Sequence, residues 1–271
     1  MSPETLIMGC PNHKKGAAMA HVIAIINQKG GVGKSTTAIN LSACLADAGK
    51  RVLVVDFDPQ GNASSGFGIN KDALEHDIYD ALLNDTPIKD VVVETPVEGV
   101  KIAPASIQLA AAEIELVSVM ARESVLRYVV AEITNDYDYV FIDCPPTLGL
   151  LTVNALVAAD SLLIPIQCEY YALEGLSKLL DSMRMVKGRL NPTLSVFGVV
   201  MTMYDARTIL SRQVVEQVRA YFKDKVFESI IPRNIKLSEA PSHGLPVISY
   251  APKSQGALAY AALAQEVIER G

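Results

Sequence analysis

Short apolar runs alternate with amphipathic stretches along most of the chain. The apolar runs predict buried strands at residues 22–26, 51–56, 100–103, 139–143, 161–165 and 195–202, with shorter pieces at 230–231 and 247–248. Apolar residues that recur every three or four positions predict helices at residues 37–48, 78–83, 109–120, 125–133, 173–187, 211–222 and 256–269. Strands that alternate with helices are typical of a parallel sheet with helices on both faces. The pattern predicts an α/β fold with one domain over residues 21–271, after a flexible tail at residues 1–20.

The glycine-rich stretch QKGGVGKSTT at residues 28–37 joins the first predicted strand to the first predicted helix. Glycines let successive backbone N–H groups turn toward a bound phosphate, and the start of the helix adds unpaired N–H donors and a positive dipole end. Lys34 is then placed to reach the β- and γ-phosphates of a nucleotide, and the Ser35 hydroxyl to bind Mg²⁺. Gln28 takes the first glycine position of the common pattern G-x-x-x-x-G-K-[ST], and a second lysine, Lys29, follows it.

Acidic residues close two of the predicted strands. Asp56 ends the run at 51–56 and Asp58 follows two residues later, and Asp143 ends the run at 139–143. Ligands bind at the carboxyl ends of the strands in an open parallel sheet, so these carboxylates are expected near the glycine loop. Asp56 and Asp58 are candidates to act on the metal or the attacking water, and Asp143 has the Walker B position that holds Mg²⁺ directly or through water.

Composition and charge limit the class of protein further. Half of the 271 residues are apolar, yet no run of 18 residues lacks charge or proline, so no membrane-spanning helix is predicted. The four cysteines lie far apart without a C-x-x-C pair, which favours free, buried thiols in a reducing cytoplasm. Residues 178–236 hold 11 Lys and Arg against five Asp and Glu, although the whole chain has a net charge of −6. Such asymmetry is compatible with a basic face for DNA and equally with solvated helix surfaces.

Several motifs together identify a family. The glycine loop with its extra Lys29 resembles that of the deviant-Walker-A ATPases. Further segments narrow the resemblance to the short ParA/Soj chromosome-partition ATPases, and it spans residues 20–271; these segments are DFDPQGNAS at 56–64, FIDCPP at 141–146, EYYALEGL at 169–176, TMYDAR at 202–207 and IIPRNIKLSEAPSHGLP at 230–246.

The resemblance implies a fold, a cofactor and a cycle. The fold would be of the P-loop NTPase type, with a mostly parallel, twisted sheet of seven or eight strands. ATP with Mg²⁺ would drive two subunits into a sandwich dimer with weak intrinsic ATPase activity. Lys29 matches the family's signature lysine, which reaches the partner's phosphates, and Asp58 matches the acid that positions the attacking water. The nucleotide-binding residues would be Lys29, Gly30, Gly31, Val32, Gly33, Lys34, Ser35 and Thr36, with Pro232 and Asn234 at the adenine base and with Ser35 and Asp143 at the metal.

The resemblance also implies partners. Arg207 and Lys236 match positions that contact double-stranded DNA without sequence preference in this family. A lysine at 236 keeps the charge but loses the bidentate fork of the family's arginine. A ParB-type centromere-binding protein would stimulate hydrolysis and release the dimer from DNA. The expected location is the nucleoid in the cytoplasm. Residues 1–20 are too few for a helix-turn-helix domain, so operator-specific repression is not expected.

Two other functions remain open at this stage. A MinD-like, membrane-associated division-site ATPase would share the ATP switch but would need an amphipathic anchor at the C-terminus. Residues 257–263 are Ala-rich and lack basic residues, which favours a helix packed on the sheet. A ligase-like or reductase-like enzyme would need a substrate pocket or cluster-binding cysteines. Cys144, the nearest candidate, is expected to pack behind the turn that follows Asp143.

Overall fold

The computed structural model describes residues 19–169 and 174–271, with nothing stated of the side chains of 174–177. The predicted tail therefore falls, apart from its last two residues, outside the described ranges. The strands are β1 His21–Ile25, β2 Val52–Asp56, β3 Val93–Glu94, β4 Val100–Ala103, β5 Tyr139–Asp143, β6 Ser161–Gln167, β7 Ser195–Tyr204 and β8 Val226–Pro232. The helices are α1 Lys34–Asp47, α2 Asn62–Gly66, α3 Ile78–Leu83, α4 Ile88–Val91, α5 Leu109–Glu115, α6 Val125–Ala131, α7 Leu150–Ala158, α8 Glu174–Arg189, α9 Ile209–Phe222, α10 Ile235–Glu239, α11 Val247–Tyr250 and α12 Gln255–Arg270.

These strands form one eight-stranded sheet in the order β3-β4-β2-β5-β1-β6-β7-β8. Neighbouring strands run parallel except for β3, which pairs antiparallel with β4 at the edge. β1 lies between β5 and β6, so the loop that follows it opens near the middle of the sheet. The predicted α/β class with a mostly parallel sheet of seven or eight strands is confirmed.

Helices cover both faces of the sheet. Along β2, the side chains of Val52 and Val54 join the core on one face, and those of Leu53 and Val55 join the core on the other. The first core also receives α1 and α12, whereas the second receives α5, α6, α7 and α9. Because both faces are buried, the strands have continuous apolar runs instead of an alternating pattern.

Two local predictions were wrong. Residues 247–248 were expected to form a strand, but α11 Val247–Tyr250 is a helical turn, in which the Ala251 N–H donates to the Val247 carbonyl at 2.7 Å. Two adjacent apolar residues have no periodicity that separates a strand from a helical turn. The helix expected at 109–120 ends at Glu115 and continues only as a short 3-10 turn, Leu116–Ser118.

The outer edge of β8 is closed by the last helix. The Glu266 carboxylate of α12 accepts hydrogen bonds from the backbone N–H groups of Glu228 (2.8 Å) and Ser229 (2.7 Å). The Arg270 guanidinium lies 4.0 Å from the centre of the Phe227 ring and donates to the Val226 carbonyl at 3.1 Å. The edge strand therefore finds side-chain partners for backbone groups that no further strand pairs.

Close backbone contact also joins the loop after α2 to the segment after α10. Gly68 and Gly244 both have positive φ angles, +75° and +66°. A Cβ on Gly244 would lie 2.7 Å from the Gly68 Cα, so the two chains meet where neither residue carries a side chain. In the described ranges, no helix is both long enough and apolar enough to span a membrane.

Candidate nucleotide-binding site

The carboxyl ends of β1, β2 and β5 bring the predicted site residues together. In the sheet register, Asp143 at the end of β5 pairs with Ile25 of β1 on one side and with Asp56 of β2 on the other. The glycine loop leaves β1 at this edge. Residues that are about 30 and 115 positions apart in the sequence therefore meet where open parallel sheets bind ligands.

Two residues of the glycine loop have backbone conformations that residues with a side chain rarely adopt. Gly31 and Gly33 have φ angles of +74° and +90°, a region that favours glycine. Gly33 is the N-cap of α1, so the first N–H groups of the helix, from Lys34 onward, face the loop. The Lys34 side chain is buried with 7% of its surface exposed. The loop therefore presents backbone donors, a helix N-terminus and a lysine to one point.

Two buried side chains hold the loop in place. The Thr202 hydroxyl at the end of β7 donates to the Val32 carbonyl at 2.8 Å. The Asn27 amide donates to the Pro165 carbonyl of β6 at 2.7 Å, and its oxygen accepts from the Lys29 N–H at 2.9 Å. These bonds tie the start and the middle of the loop to β6 and β7. A loop fixed in this way binds phosphate with little loss of conformational freedom.

A cavity of about 750 Å³ opens beside the loop. Its size lies in the range of small-molecule and cofactor sites. The predicted residues that line it are Gly30, Gly31, Gly33, Lys34, Ser35, Thr36, Asp58, Pro232 and Asn234. The side chain of Val32, also predicted to bind nucleotide, is 1% exposed and packs inward, so only its backbone is available.

Asp56 and Asp58 have separate environments despite their spacing of two residues. Asp56 is fully buried and accepts hydrogen bonds of 2.7 Å from both the N–H and the hydroxyl of Ser64. Burial raises its pKa, and these bonds oppose the rise. Asp58 lines the cavity and accepts from the Gln60 N–H at 3.0 Å. Asp56 therefore fixes α2, and only Asp58 faces the space that a nucleotide would fill.

Asp143 is a buried carboxylate whose charge is only partly offset, by the nearby Lys34 and Ser35 side chains. Neither of its oxygens has a hydrogen-bond partner among the described residues, and its exposed fraction is 0%. Burial, and then the neighbouring Asp56 carboxylate, hold its pKa well above the usual aspartate range. A buried anion of this kind is stabilised by a cation or by an ordered water that a cation holds. Together with the Ser35 hydroxyl at the cavity, this donor set fits Mg²⁺.

The far side of the cavity contains residues that the sequence prediction missed. Met203, with a φ angle of +52°, and Tyr260 line it together with Pro232 and Asn234. The Asn234 oxygen caps α10 by accepting from the Lys236 N–H at 2.9 Å, which leaves its amide N–H groups for a ligand. Tyr260 lies 3.1 Å from the Thr37 hydroxyl and is 1% exposed. The sequence feature that could have indicated Tyr260 is a large aromatic side chain within an Ala-rich helix.

Lys29 points to a carboxylate of its own chain. Its ammonium lies 3.1 Å from one oxygen of Glu169, which follows β6. The other oxygen of Glu169 accepts from the Gln167 amide at 2.5 Å and lies 3.6 Å from the Arg233 guanidinium. The side chains of Lys29 and Glu169 are 38% and 45% exposed, so the pair lies at the surface.

The two predicted DNA contacts are exposed and paired with acids. The Arg207 guanidinium, 87% exposed, forms a bidentate pair with Asp205 at 2.7 and 2.9 Å. Lys236 lies 2.8 Å from Glu239 and 5.5 Å from the centre of the Tyr250 ring. Each acid lies within three residues of its partner in the sequence, yet the sequence prediction did not include these pairs.

The three cysteines that the structure describes are not placed for redox or metal chemistry. Cys44, Cys144 and Cys168 are free and buried in the described part of the chain, and Cys10 lies outside it. Burial raises the pKa of the Cys44 and Cys168 thiols to about 12, and that of Cys144 also rises. These thiols are therefore protonated and unreactive at neutral pH.

A glycine loop at a helix N-terminus, a lysine and a buried acid on the neighbouring strand define a P-loop nucleotide-binding protein. The sequence model of the AAA domain family matches residues 20–196. Sporulation initiation inhibitor protein Soj of Bacillus subtilis is 57% identical over 253 residues, which are 93% of this chain and 100% of that protein. Chromosome partitioning protein ParA of Myxococcus xanthus is 54% identical over 94% of this chain and 90% of that protein. The chain belongs to the ParA/Soj family of chromosome-partitioning ATPases.

Solved structures share the fold. Cobyrinic acid a,c-diamide synthase from Mycobacterium smegmatis, with bound ADP and magnesium, has a TM-score of 0.82 and 37% identity, covering 93% of this chain and 95% of that one. The cell division ATPase MinD of Pyrococcus furiosus has a TM-score of 0.74 and 26% identity, covering 93% and 100%.

Proposed function

We propose that this chain is an ATP-hydrolysing DNA-partition protein in which bound ATP drives two copies into a sandwich dimer that binds DNA without sequence preference. The observation that carries the proposal is a cavity in which the glycine loop, Lys34 and Asp58 meet, beside the buried Asp143 carboxylate, whose oxygens have no hydrogen-bond partner among the described residues. Identity of 57% to Soj over nearly the whole chain supports this function over the other functions that proteins of the same fold perform.

Nucleotide binding follows from the geometry of the loop. Backbone N–H groups of Gly30 to Thr36 and the α1 N-terminus surround the phosphates, and Lys34 neutralises the β- and γ-phosphates. Ser35 and Asp143 would hold Mg²⁺, which supplies further charge neutralisation when bound. Pro232 and Asn234 contact the adenine base.

Hydrolysis depends on Asp58 and on Lys29 of the second copy. Asp58 accepts a hydrogen bond from the water that attacks the γ-phosphate and so orients it. Lys29 of each copy approaches its neighbour's phosphates and stabilises the charge that develops on their oxygens. Because this cation comes from outside the subunit, a single copy is expected to hydrolyse ATP slowly. A ParB-type partner would accelerate the reaction and release the dimer.

DNA binding uses the basic segment, with Arg207 and Lys236 as phosphate contacts at the nucleoid. Phosphate contacts fix a protein on the duplex without reading sequence, and a lysine serves there as well as an arginine.

The alternative, a MinD-like membrane protein, finds no support in α12. The apolar residues Tyr260, Leu263 and Val267 of that helix are already buried against the sheet.

The test measures mass and DNA retention in the same buffers. Light scattering with ATP and Mg²⁺ should give the mass of two chains, and ADP should give one. Retention on double-stranded DNA should require ATP, and log affinity should fall linearly with log salt. A single chain with ATP, or a salt slope near zero, contradicts the proposal. Cosedimentation with anionic vesicles that depends on ATP would favour the MinD-like alternative.

A further inference from the structure

A surface carboxylate, that of Glu169, holds the lysine that the proposed function places at the phosphates of a second copy. The Lys29 ammonium and the Glu169 carboxylate are 3.1 Å apart, although 140 residues separate them in the sequence. The Lys29 N–H is fixed by Asn27, so the base of the side chain has a defined position. Lys29 cannot contact phosphates of a second copy while its ammonium stays on Glu169.

The other oxygen of Glu169 has partners of its own. Gln167 donates to it at 2.5 Å, and the Arg233 guanidinium lies 3.6 Å away. Arg233 directly follows Pro232, which pairs with Tyr204 of β7. The N–H of Arg233 donates to the Tyr204 carbonyl at 2.9 Å. Departure of Lys29 would therefore leave the carboxylate with an amide donor and a cation, which lowers the cost of releasing Lys29.

We propose that Glu169 is a positioning residue that holds Lys29 within its own subunit and so opposes dimerisation, and that Arg233 weakens this hold by competing for the same carboxylate. The inference rests on the proposed function, because it concerns the same dimer. It assigns opposite effects to two neighbouring residues of opposite charge.

The size of the effect follows from exposure. An ion pair with side chains 38% and 45% exposed changes an equilibrium constant by a factor of about three. A symmetric dimer must release two such pairs. The association constant of the dimer should therefore change by the square of this factor, about tenfold.

The experiment measures the association constant by analytical ultracentrifugation with a non-hydrolysable ATP analogue and Mg²⁺. Glu169→Gln should raise the constant about tenfold, and Arg233→Gln should lower it severalfold. The double variant should behave as Glu169→Gln alone, because without the charge at 169 nothing is left for Arg233 to compete over. Glu228→Gln is the control, since it removes the charge from another exposed pair, with Arg219 at 2.7 Å, away from Lys29.

Affinity for ADP separates this role from a simple change of charge near the phosphates. ADP binding to Glu169→Gln should stay within about twofold of the original chain, because ADP does not bring Lys29 across. An equal rise in ADP affinity, an unchanged association constant for Glu169→Gln, or additive effects in the double variant would each overturn the inference. If the original chain fails to dimerise with ATP, the proposed function itself is wrong; if it dimerises and Glu169→Gln matches it, only the role of Glu169 is lost.

Discussion

At the scale of single residues, three aspartates at one edge of the sheet differ because their surroundings differ. Asp56 accepts hydrogen bonds from Ser64, Asp58 lines the cavity, and Asp143 is buried without a hydrogen-bond partner among the described residues. The sequence predicted that all three would lie near the glycine loop. The sequence did not indicate that Asp56 has a structural role, because nothing in it identifies Ser64 as the hydrogen-bond partner of Asp56. Only the fold separates these roles.

Replacing Asp58 with Ala should reduce ATP hydrolysis at least about a hundredfold, because the attacking water loses the group that orients it. ATP binding should persist, and the variant should remain on DNA as a dimer. Single-turnover hydrolysis and DNA retention measure the two effects. Asp72→Ala, which removes an exposed aspartate nearby, should hydrolyse ATP normally. Rapid hydrolysis by the Asp58 variant would remove this residue from the mechanism.

Replacing Asp143 with Asn should stabilise the nucleotide-free protein and weaken Mg²⁺-dependent ATP binding. The folded-state pKa of Asp143 is raised, so the folded chain keeps a proton that the unfolded chain has released above the ordinary aspartate pKa of 3.8. The original chain therefore loses stability as pH rises from that value. The gain in unfolding free energy for the variant should grow with pH and reach about 1–3 kcal/mol near neutrality.

Urea unfolding across this pH range, without nucleotide, measures the gain. Calorimetry of ATP binding with Mg²⁺ and with EDTA measures the loss. A variant that is less stable than the original chain at neutral pH would show that Asp143 has a partner that stabilises its charge.

At the scale of elements, strongly periodic segments were predicted well and short ones were not. Strands β4 and β5 and helix α3 have the predicted bounds, because polar or turn-forming residues flank each apolar segment. Helix α1 begins three residues earlier than expected, inside the glycine loop, since Gly33 already acts as its N-cap. Strand β3, only two residues long, was not predicted.

The contact between Gly68 and Gly244 links two elements around the cavity. Replacing Gly244 with Ala should cost about 2 kcal/mol of unfolding free energy or more, because the φ angle of +66° disfavours a side chain and the new Cβ would meet the Gly68 backbone. Thermal and urea unfolding measure the loss. Gly188→Ala in α8 is the matched control, since a Cβ there meets no described atom within 4 Å and alanine favours a helix. Equal stability of the two variants would contradict this account.

At the scale of the whole molecule, charge is distributed unevenly, and the predicted DNA contacts lie in the basic segment. Replacing both Arg207 and Lys236 with Glu should abolish retention on DNA at physiological salt and leave ATP binding intact, because neither residue lines the cavity. Lys89→Glu with Lys101→Glu is the matched control, since both lysines are exposed and paired with acids. Unchanged retention by the first double variant would place the basic face elsewhere.

The sequence predicted the fold class and the phosphate-loop side of the cavity, because those depend on local pattern and on a motif with a fixed spacing. It did not predict which carboxylates the Lys29 and Arg207 side chains contact. The partner of Lys29 follows a different strand, 140 residues away, and only the sheet order brings the two together. Arg207 and Asp205 are two residues apart, yet nothing in a sequence says whether such neighbours face one another. Side-chain pairing at a surface is decided by tertiary placement.

The carboxylate of Glu266 has a consequence for how copies of this protein associate. Strands from other molecules can pair with an open sheet border, and such pairing can continue from one molecule to the next. Here the terminal border at β8 already has an anion on its amide hydrogens and a helix across it. On DNA, where the proposed function would bring many copies together, this arrangement would keep close packing from joining their sheets into a continuous ribbon.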